Sequence, residues 1–514
     1  MYSRLCSAAV CGIDAFIVDV ETHLENQIPG FVTVGLPDSA VRESRERVMA
    51  AVKNSGFPFP QKKVTINVAP ADVRKEGSAF DLPIALGVLV AYNFIAAEAV
   101  EQILFIGELA LDGSLRPVHG VLSIAVEAGK QGYNKLLLPA ENAAEAALAP
   151  GIEVYALATL EQAVRYLNKE IELSPVRIDP ADVFRQDDAT GRPDMSDVKG
   201  QESVKRALEI AAAGGHNVIM VGPPGSGKTM LAKRIPSILP PLTLDESLET
   251  TKIHSVTGLL PSGQALLTHR PFRAPHHTIS DAALVGGGVG IVRAGEISMA
   301  NHGVLFLDEL PEFARNVLEV LRQPLEEKRI SISRTKMTIE FPCNFMLVCS
   351  MNPCPCGNFG NPSQQCSCTP QQIQRYMAKI SGPLLDRIDL HVDVCGVQYQ
   401  ELSAARLGEQ STEIRERVIR ARDKQTLRYT KAQGVYKNAD MRSAELKAYC
   451  TLDDASKTLL KTAMTKLGLS ARAYDRILKV ARTIADLENS EHLKPAHISE
   501  AIQYRNLDRQ YWNA

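Results

Sequence analysis

Apolar residues along the 514-residue chain follow three successive patterns. Through residues 1–170, short β-branched runs such as FIVDVETHL, KVTINVAP, KLLLPA and IEVYAL alternate with helical stretches such as DSAVRESRERVMAAVKNSG. That alternation predicts a compact α/β domain. Residues 171–195, IELSPVRIDPADVFRQDDATGRPDM, are rich in Pro, Asp and Arg and show no apolar period, so they read as a linker. From 196 to 395, buried strands alternate with helices in the manner of a parallel sheet covered on both faces. Residues 396–514 read as almost entirely helical.

The second of these regions carries the clearest chemistry. NVIMV (217–221) predicts a buried strand, GPPGSGKT (222–229) a turn and MLAKRIPSIL (230–239) a helix. Strand, glycine-rich turn and helix in that order form a phosphate-binding loop. Gly222, Gly225 and Gly227 let backbone N–H groups face the phosphates of ATP, and Pro223, Pro224 and Ser226 complete the cofactor-binding loop. Lys228 neutralises the β and γ oxygens, and the Thr229 hydroxyl holds Mg²⁺. GVLFLDEL (303–310) is a second apolar strand ending in Asp308, placed to bind Mg²⁺ through water, and Glu309, placed to polarise the attacking water. NFMLVCSMN (344–352) ends in Asn352, at a strand tip that can reach the γ-phosphate. Arg387 in GPLLDRIDL and Arg472 and Arg476 in LSARAYDRILKVARTIADLE are candidate clamps for transition-state charge, one of which can serve a neighbouring subunit.

Composition narrows the remaining classes. The 57 Lys and Arg against 59 Asp and Glu leave a net charge of −2, so any nucleic-acid surface has to be local. No run reaches the roughly 20 apolar residues of a membrane span, and a cytoplasmic location without membrane contact is expected. Of ten cysteines, Cys6, Cys11, Cys343, Cys349, Cys395 and Cys450 lie in apolar contexts that predict buried free thiols. Cys354, Cys356, Cys366 and Cys368 form two C-x-C pairs on a turn-rich loop, a pattern that predicts one structural Zn²⁺ site.

The segment from 190 to 505 resembles an AAA+ ATPase of the branch shared by magnesium chelatase subunits and replicative helicases. PHHTISDAALVGGG, RAGEISMANHGVLFLDELPEF and SMNPCPCG are very similar to the magnesium-chelatase-like ComM/YifB family, across essentially the whole chain. The resemblance implies that Asp308 and Glu309 are the Walker B pair, Asn352 sensor 1, Arg387 an arginine finger acting in trans, and Arg472 sensor 2, with Arg476 as the alternative. A trans finger implies a homo-hexameric ring. RKEGSAFDLPIAL followed by IGELALDGSLRPVHGVLSIAVEAGKQGYNKLLLPAEN resembles the proteolytic domain of Lon, an S5 domain 2-like fold. The places of its Ser nucleophile and Lys base are held here by Ala79 and Leu122, neither of which can attack a carbonyl or take a proton. Ser78 and Lys75 nearby leave a shifted dyad as the alternative, and a collar, assembly surface or nucleic-acid guide is the expected role.

EEKRISISRTKMTIEFP (326–342) predicts a hairpin with Arg334 and Lys336 at its tip, and at this place in the resembled branch a hairpin grips nucleic-acid phosphate in the ring pore. Residues 270–296, with Arg270, Arg273, His276, His277 and Arg293, are expected to form a mobile pore or interface loop. The basic stretch 411–429 is read as a solvated helix face, with DNA contact the alternative. Taken with the family resemblance, the expected activity is ATP-driven translocation on single-stranded and branched DNA, promoting branch migration in natural transformation and homologous recombination with recombinase or loading proteins as partners. Remodelling of a protein partner, chelatase-like or chaperone-like, is the alternative.

Overall fold

The computed structural model describes residues 1–36, 38–71, 77–185, 193–261, 263–288, 292–333, 338–360, 364–396, 408–430, 432 and 434–505, with only the backbone of Ser39 and Ala40. Period-two alternation in the first strands sets a half-buried sheet. β1 (Tyr2–Cys11) pairs antiparallel with β2 (Asp14–Glu25), from Tyr2↔His23 to Cys11↔Asp14, across a turn in which Gly12 takes φ +67°. β3 (Gly30–Val34), β4 (Lys63–Ala69), β5 (Ile103–Phe105), β6 (Lys135–Pro139) and β7 (Glu153–Leu157) complete a seven-stranded mixed sheet in the order β3-β4-β2-β1-β5-β6-β7. Helices cover it, three of them in the first 130 residues. α1 (Ser39–Asn54) starts where the Asp38 carboxylate accepts from Val41 N, α2 (Asp81–Ala91) is buried along its whole length, and α3 (Val121–Lys130) buries its Val121, Leu122 and Ile124.

The second unit is built on short all-apolar strands. β8 (Val218–Val221), β9 (Phe272–Arg273), β10 (Val304–Leu307), β13 (Met346–Met351) and β14 (Leu390–Asp393) pair in parallel in the order β9-β10-β13-β8-β14. Strands buried on both faces need coverings on both, and two separate apolar clusters supply them. One face packs on α4 (Glu202–Gly214) and on the C-terminal helices α7 (Ser411–Arg428), α9 (Ala471–Leu487) and α10 (Pro495–Gln503). β11 (Arg329–Ser333) and β12 (Thr338–Pro342) form the expected antiparallel hairpin just before β13. The basic helix α7 serves neither solvent nor polymer with most of its cations. Arg417 pairs with Glu209 and Glu409, Arg428 with Asp486, Arg422 donates to the Ala212 carbonyl and Lys424 to that of Asp486. Among the described residues no helix is long and apolar enough to cross a membrane.

The two units are joined by more than the chain. α3 packs against α6 (Leu244–Val256), and Gly120, at the start of α3, donates its N–H to the Ser255 hydroxyl at 3.0 Å. Leu122 sits at 0% exposure in a cluster with Leu148, Ala265 and Leu266, into which Ile178, Val183 and Phe184 also pack. Those last three belong to the expected linker, which therefore fills an interface rather than merely spanning one. The buried Glu145 carboxylate accepts from Leu122 N at 2.9 Å. A second apolar contact joins Cys11 and Ile13, at the β1–β2 turn, to Ile339, Phe341 and Val292. It is close enough that a Cβ on Gly12 would lie 2.5 Å from Ile339 Cγ2.

The Lon-like positions are accounted for. Ala79 offers its carbonyl to Gly107 N at 2.9 Å, and Ser78 is hydrogen-bonded to Glu108. Lys75, the other half of the alternative dyad, lies outside the described residues. Leu122→Ala should lower unfolding free energy by about 2–4 kcal/mol. Denaturant unfolding measures it, and a midpoint equal to that of the parent chain would show that this cluster does not join the two units.

Candidate active site

The phosphate loop leaves the C-terminal end of β8. Gly222 is required by close approach, since a Cβ there would sit 2.2 Å from the Val394 carbonyl oxygen. Gly225 and Gly227 take φ +76° and +88°, which side-chain-bearing residues adopt at a cost. These turns bring Lys228 to the first position of α5 (Lys228–Ala232), where Nζ donates to the carbonyls of Gly222 (2.7 Å) and Pro223 (2.9 Å) and to Asn352 Oδ1 (3.2 Å). Burial pushes the Lys228 ammonium below its ordinary pKa, partly offset by the charges of Asp308 and Glu309. The phosphate loop, the tip of β13 and the tip of β10 thus converge. Thr229 Oγ1 donates to Asp308 Oδ2 at 2.7 Å, and the other Asp308 oxygen accepts from the Ser350 hydroxyl and from Glu309 N. A hydroxyl and a carboxylate closed on each other beside a lysine are the donor set of a Mg²⁺–triphosphate.

Glu309 follows in the left-handed region at φ +54°, which for a residue with a Cβ costs on the order of 1 kcal/mol. Its carboxylate is half exposed, with Oε2 3.9 Å from His277 Nδ1. The His277 ring lies 4.1 Å, centroid to centroid, from that of His276 and edge-on to Phe313 at 6.4 Å. Sequence reasoning placed the two histidines in a loop and missed their place beside the Asp308–Glu309 pair. It also missed Ser350, a hydroxyl inside an apolar strand and the one local signal available.

The arginines lie elsewhere. The Arg387 carbonyl accepts from Asn217 Nδ2 at 2.9 Å, and Asn217 immediately precedes β8. From there to Gly222 the strand runs roughly 16 Å, so Arg387 stands at the opposite end of the sheet from the phosphate loop. Arg387 pairs with Glu326, and Arg472 Nη1 lies 3.3 Å from Asp386. Arg476 pairs with Asp389, whose other oxygen meets His216 Nδ1 at 3.0 Å. Arg387, Arg472 and Arg476 line one small polar cleft together with Asp386, Asp475 and Lys479. Although buried, Asp389 is held well below the usual carboxylate range by the Arg476 charge and the His216 hydrogen bond.

The four clustered cysteines do come together. All four sulfurs lie within 4.8 Å of one another, with Cys354–Cys356, Cys356–Cys366 and Cys354–Cys366 at 3.3, 3.5 and 3.7 Å. Four thiolates 2.3 Å from a tetrahedral Zn²⁺ stand roughly 3.8 Å apart, so the group could hold zinc. Hydrogen bonds from the backbone at Asn358 and Ser367 pull the Cys356 thiol down to about 5, whereas, despite backbone hydrogen bonds, Cys366 and Cys368 are held up by burial and by their sulfur neighbours, so Cys356 is the sulfur set to ionise first. The loop also touches the nucleotide site, because a Cβ on Gly357 would fall 2.4 Å from Pro224 Cδ. Of the other cysteines, Cys343, Cys349 and Cys450 are buried as expected. Cys6 and Cys11 are half-buried, and Cys395 is exposed because it follows β14 beyond the sheet's covered face.

One expectation about polymer contacts changes. Arg270 donates to the carbonyls of Pro240, Pro241 and His302 and pairs with Glu246, while Arg273 pairs bidentately with Glu296 at 2.6 and 2.7 Å. These two cations anchor the 270–296 segment instead of facing a pore. Arg334 and Lys336 lie outside the described residues.

Comparison with known proteins places these features. Residues 194–402 match the family described as magnesium chelatase, subunit ChlI, residues 20–142 match subunit ChlI of Mg-chelatase, and residues 408–505 match its C-terminal region. The competence protein ComM of Haemophilus influenzae is 45% identical over 99% of this chain and 97% of its own length. The chain belongs to the ComM/YifB family. YifB of Escherichia coli is 43% identical over 98% of this chain and 96% of its own. The magnesium-chelatase 38 kDa subunit of Rhodobacter capsulatus is 26% identical over 45% of this chain and 60% of its own. A ComM/YifB protein thus combines the magnesium-chelatase-like AAA+ core and helical C-terminal region with an α/β domain in front.

Removing the buried charge at the arginine end, Asp389→Ala, leaves Arg476 and His216 without their partner and should destabilise the fold by about 3–5 kcal/mol, with Asp389→Asn costing less. Denaturant unfolding of both variants tests this: equal losses would assign the whole effect to the charge, and a negligible loss in both would overturn the pairing.

Proposed function

We propose that this chain is an ATPase that works as a ring of copies, six by the family resemblance, and moves single-stranded and branched DNA through the ring. The observation that carries the reading is the separation of charge along β8. Lys228, Thr229, Asp308 and Asn352 meet at one end of the sheet, and Arg387, Arg472 and Arg476 share a cleft near the other. An arginine side chain cannot span roughly 16 Å, so a neighbour's cleft has to supply the cations that neutralise the γ-phosphate in the transition state. Bound ATP and Mg²⁺ supply the phosphoanhydride and the Lewis acid. In this chain, Lys228 holds the phosphates, Asp308 and Thr229 orient the metal, and Glu309 accepts the proton of the attacking water.

The polymer side of the reading rests on the β11–β12 hairpin, whose strands flank Arg334 and Lys336 in sequence, and on the name of the Haemophilus relative, a competence protein. Competence directs the proposal to joining incoming single strands to a chromosome by branch migration. In this scheme the front domain, which lacks a nucleophile and base at positions 79 and 122, works as a collar.

Forked and four-way DNA substrates test the activity. Glu309→Gln should bind ATP yet lose strand displacement and hydrolysis by at least about 100-fold. Exchanging Arg334 and Lys336 for Ala should abolish unwinding while hydrolysis without DNA persists. Stimulation of hydrolysis by a protein partner and not by DNA would instead support the remodelling alternative. For the cysteine cluster, metal analysis should find one zinc per chain, falling to none in Cys354→Ser with Cys366→Ser. Full zinc content in that double variant would remove the site.

A further inference from the structure

A cavity of about 560 Å³ adjoins the arginine cleft, at the edge of the second sheet opposite the phosphate loop. Its walls are the entries to β8 and β13 at Asn217 and Asn344, the base of the hairpin at Lys328, and the 434–442 stretch that follows α7. Arg387, Arg476 and Lys479 border both the cleft and the cavity.

Charge does not balance inside it. Six cationic side chains and four carboxylates line the space, and three of the carboxylates are already engaged: Asp440 by Lys328 at 2.6 Å, Asp389 by Arg476 and Glu326 by Arg387. The fourth, Glu327, accepts from Gln323 at 2.9 Å. Among the described residues Lys437, Lys479 and Arg442 form no ion pair, and Lys479 gives a hydrogen bond to the Ala439 carbonyl at 2.8 Å.

Lys437 is the least satisfied of the three. Its stem lies over Gly215, where a Cβ would fall 2.3 Å from Lys437 Cδ, and its ammonium reaches one acceptor, Asn344 Oδ1 at 3.5 Å. An ammonium carries three donors. Burial, together with the charges of Lys328, Arg422 and Arg270, holds its pKa down to about 8 against the pull of Asp440. The buried Nε atoms of Arg387 and Arg476 also lack a partner among the described residues. Unused donors and uncompensated positive charge therefore surround one space, an arrangement that is costly until an anion enters. Chloride or a single carboxylate brings too little charge and too few acceptors, whereas a phosphate brings both.

We propose that this cavity is a binding site for orthophosphate, held by Lys437 with Lys479 and Arg442 and distinct from the phosphate loop. Its place beside the arginine cleft points to the source: phosphate freed there, when water cleaves a neighbouring copy's ATP to ADP, lodges in the cavity before it reaches solvent. That source rests on the ring-ATPase reading; the site itself does not.

Equilibrium dialysis of the full-length chain, without nucleotide, against radiolabelled orthophosphate tests the site. In the Lys228→Ala background, where the phosphate loop has lost its cation, one phosphate per chain is expected. Adding Lys437→Met keeps a stem over Gly215, removes the ammonium and should weaken binding at least about 10-fold. Adding Arg442→Gln instead, at an exposed position, should weaken it about threefold and keeps the test open if the Lys437→Met chain does not fold. No bound phosphate in the Lys228→Ala chain, or unchanged affinity after both additions, overturns the site. Displacement of the phosphate by single-stranded oligonucleotide overturns the free-anion assignment in favour of a polymer phosphate. During ATP turnover, Lys437→Met alone should raise the concentration of added orthophosphate needed for inhibition by about 10-fold, and unchanged inhibition overturns the source. A parental chain that binds phosphate yet hydrolyses no ATP would uphold the site and overturn the ATPase reading.

Discussion

Parallel pairing of β8 between β13 and β14 sets the constraint on which the rest depends. A parallel sheet gathers its strand C-termini at one edge, so the phosphate loop, Asp308 and Asn352 meet there without any one of them being far in sequence from its strand. The same polarity sends the segments entering the strands, Asn217, Asn344 and Asp389, to the other edge, where the arginines gather. Charged groups that the proposed reaction would use at one place are thus held at two, roughly a strand length apart.

Burial decides which charged side chains remain available for chemistry. Arg270, Arg273, Arg417 and Arg428 look alike in sequence to pore or DNA contacts, yet each is tied to a carboxylate or a carbonyl inside the fold. Such pairs withdraw these individual cations from any polymer contact, whatever the chain's nearly balanced total charge. Arg387 and Arg476 are paired too and about as buried as Arg270 and Arg428, so of the three arginines lining the cleft only Arg472 is well exposed.

The strand–turn–helix of residues 217–239, the Asp308–Glu309 pair at a strand end, the hairpin around 334–337 and the two C-x-C pairs were all legible, because each is a local pattern with a fixed geometric meaning. What sequence hid was contact across distance. Nothing in PHHTIS announces that His277 reaches Glu309, since that depends on β9 lying beside β10. Nothing in the Pro- and Asp-rich 171–195 segment shows that Ile178, Val183 and Phe184 share a cluster with Leu122 and Leu266. The adjacency of Gly357 to Pro224 belongs to the same class. Periodicity reports which face of an element is apolar and is silent about what that face meets.

Leu122 shows what the seam between the units forbids. Its isobutyl group is locked between two folded units, with its backbone N–H committed to Glu145. An amine at that place would strand a cation among Leu148, Ala265 and Leu266, at the cost of an unpaired buried charge. Position 122 is thereby closed to proton-transfer chemistry: the side chain that fastens one unit to the other cannot also act as a base.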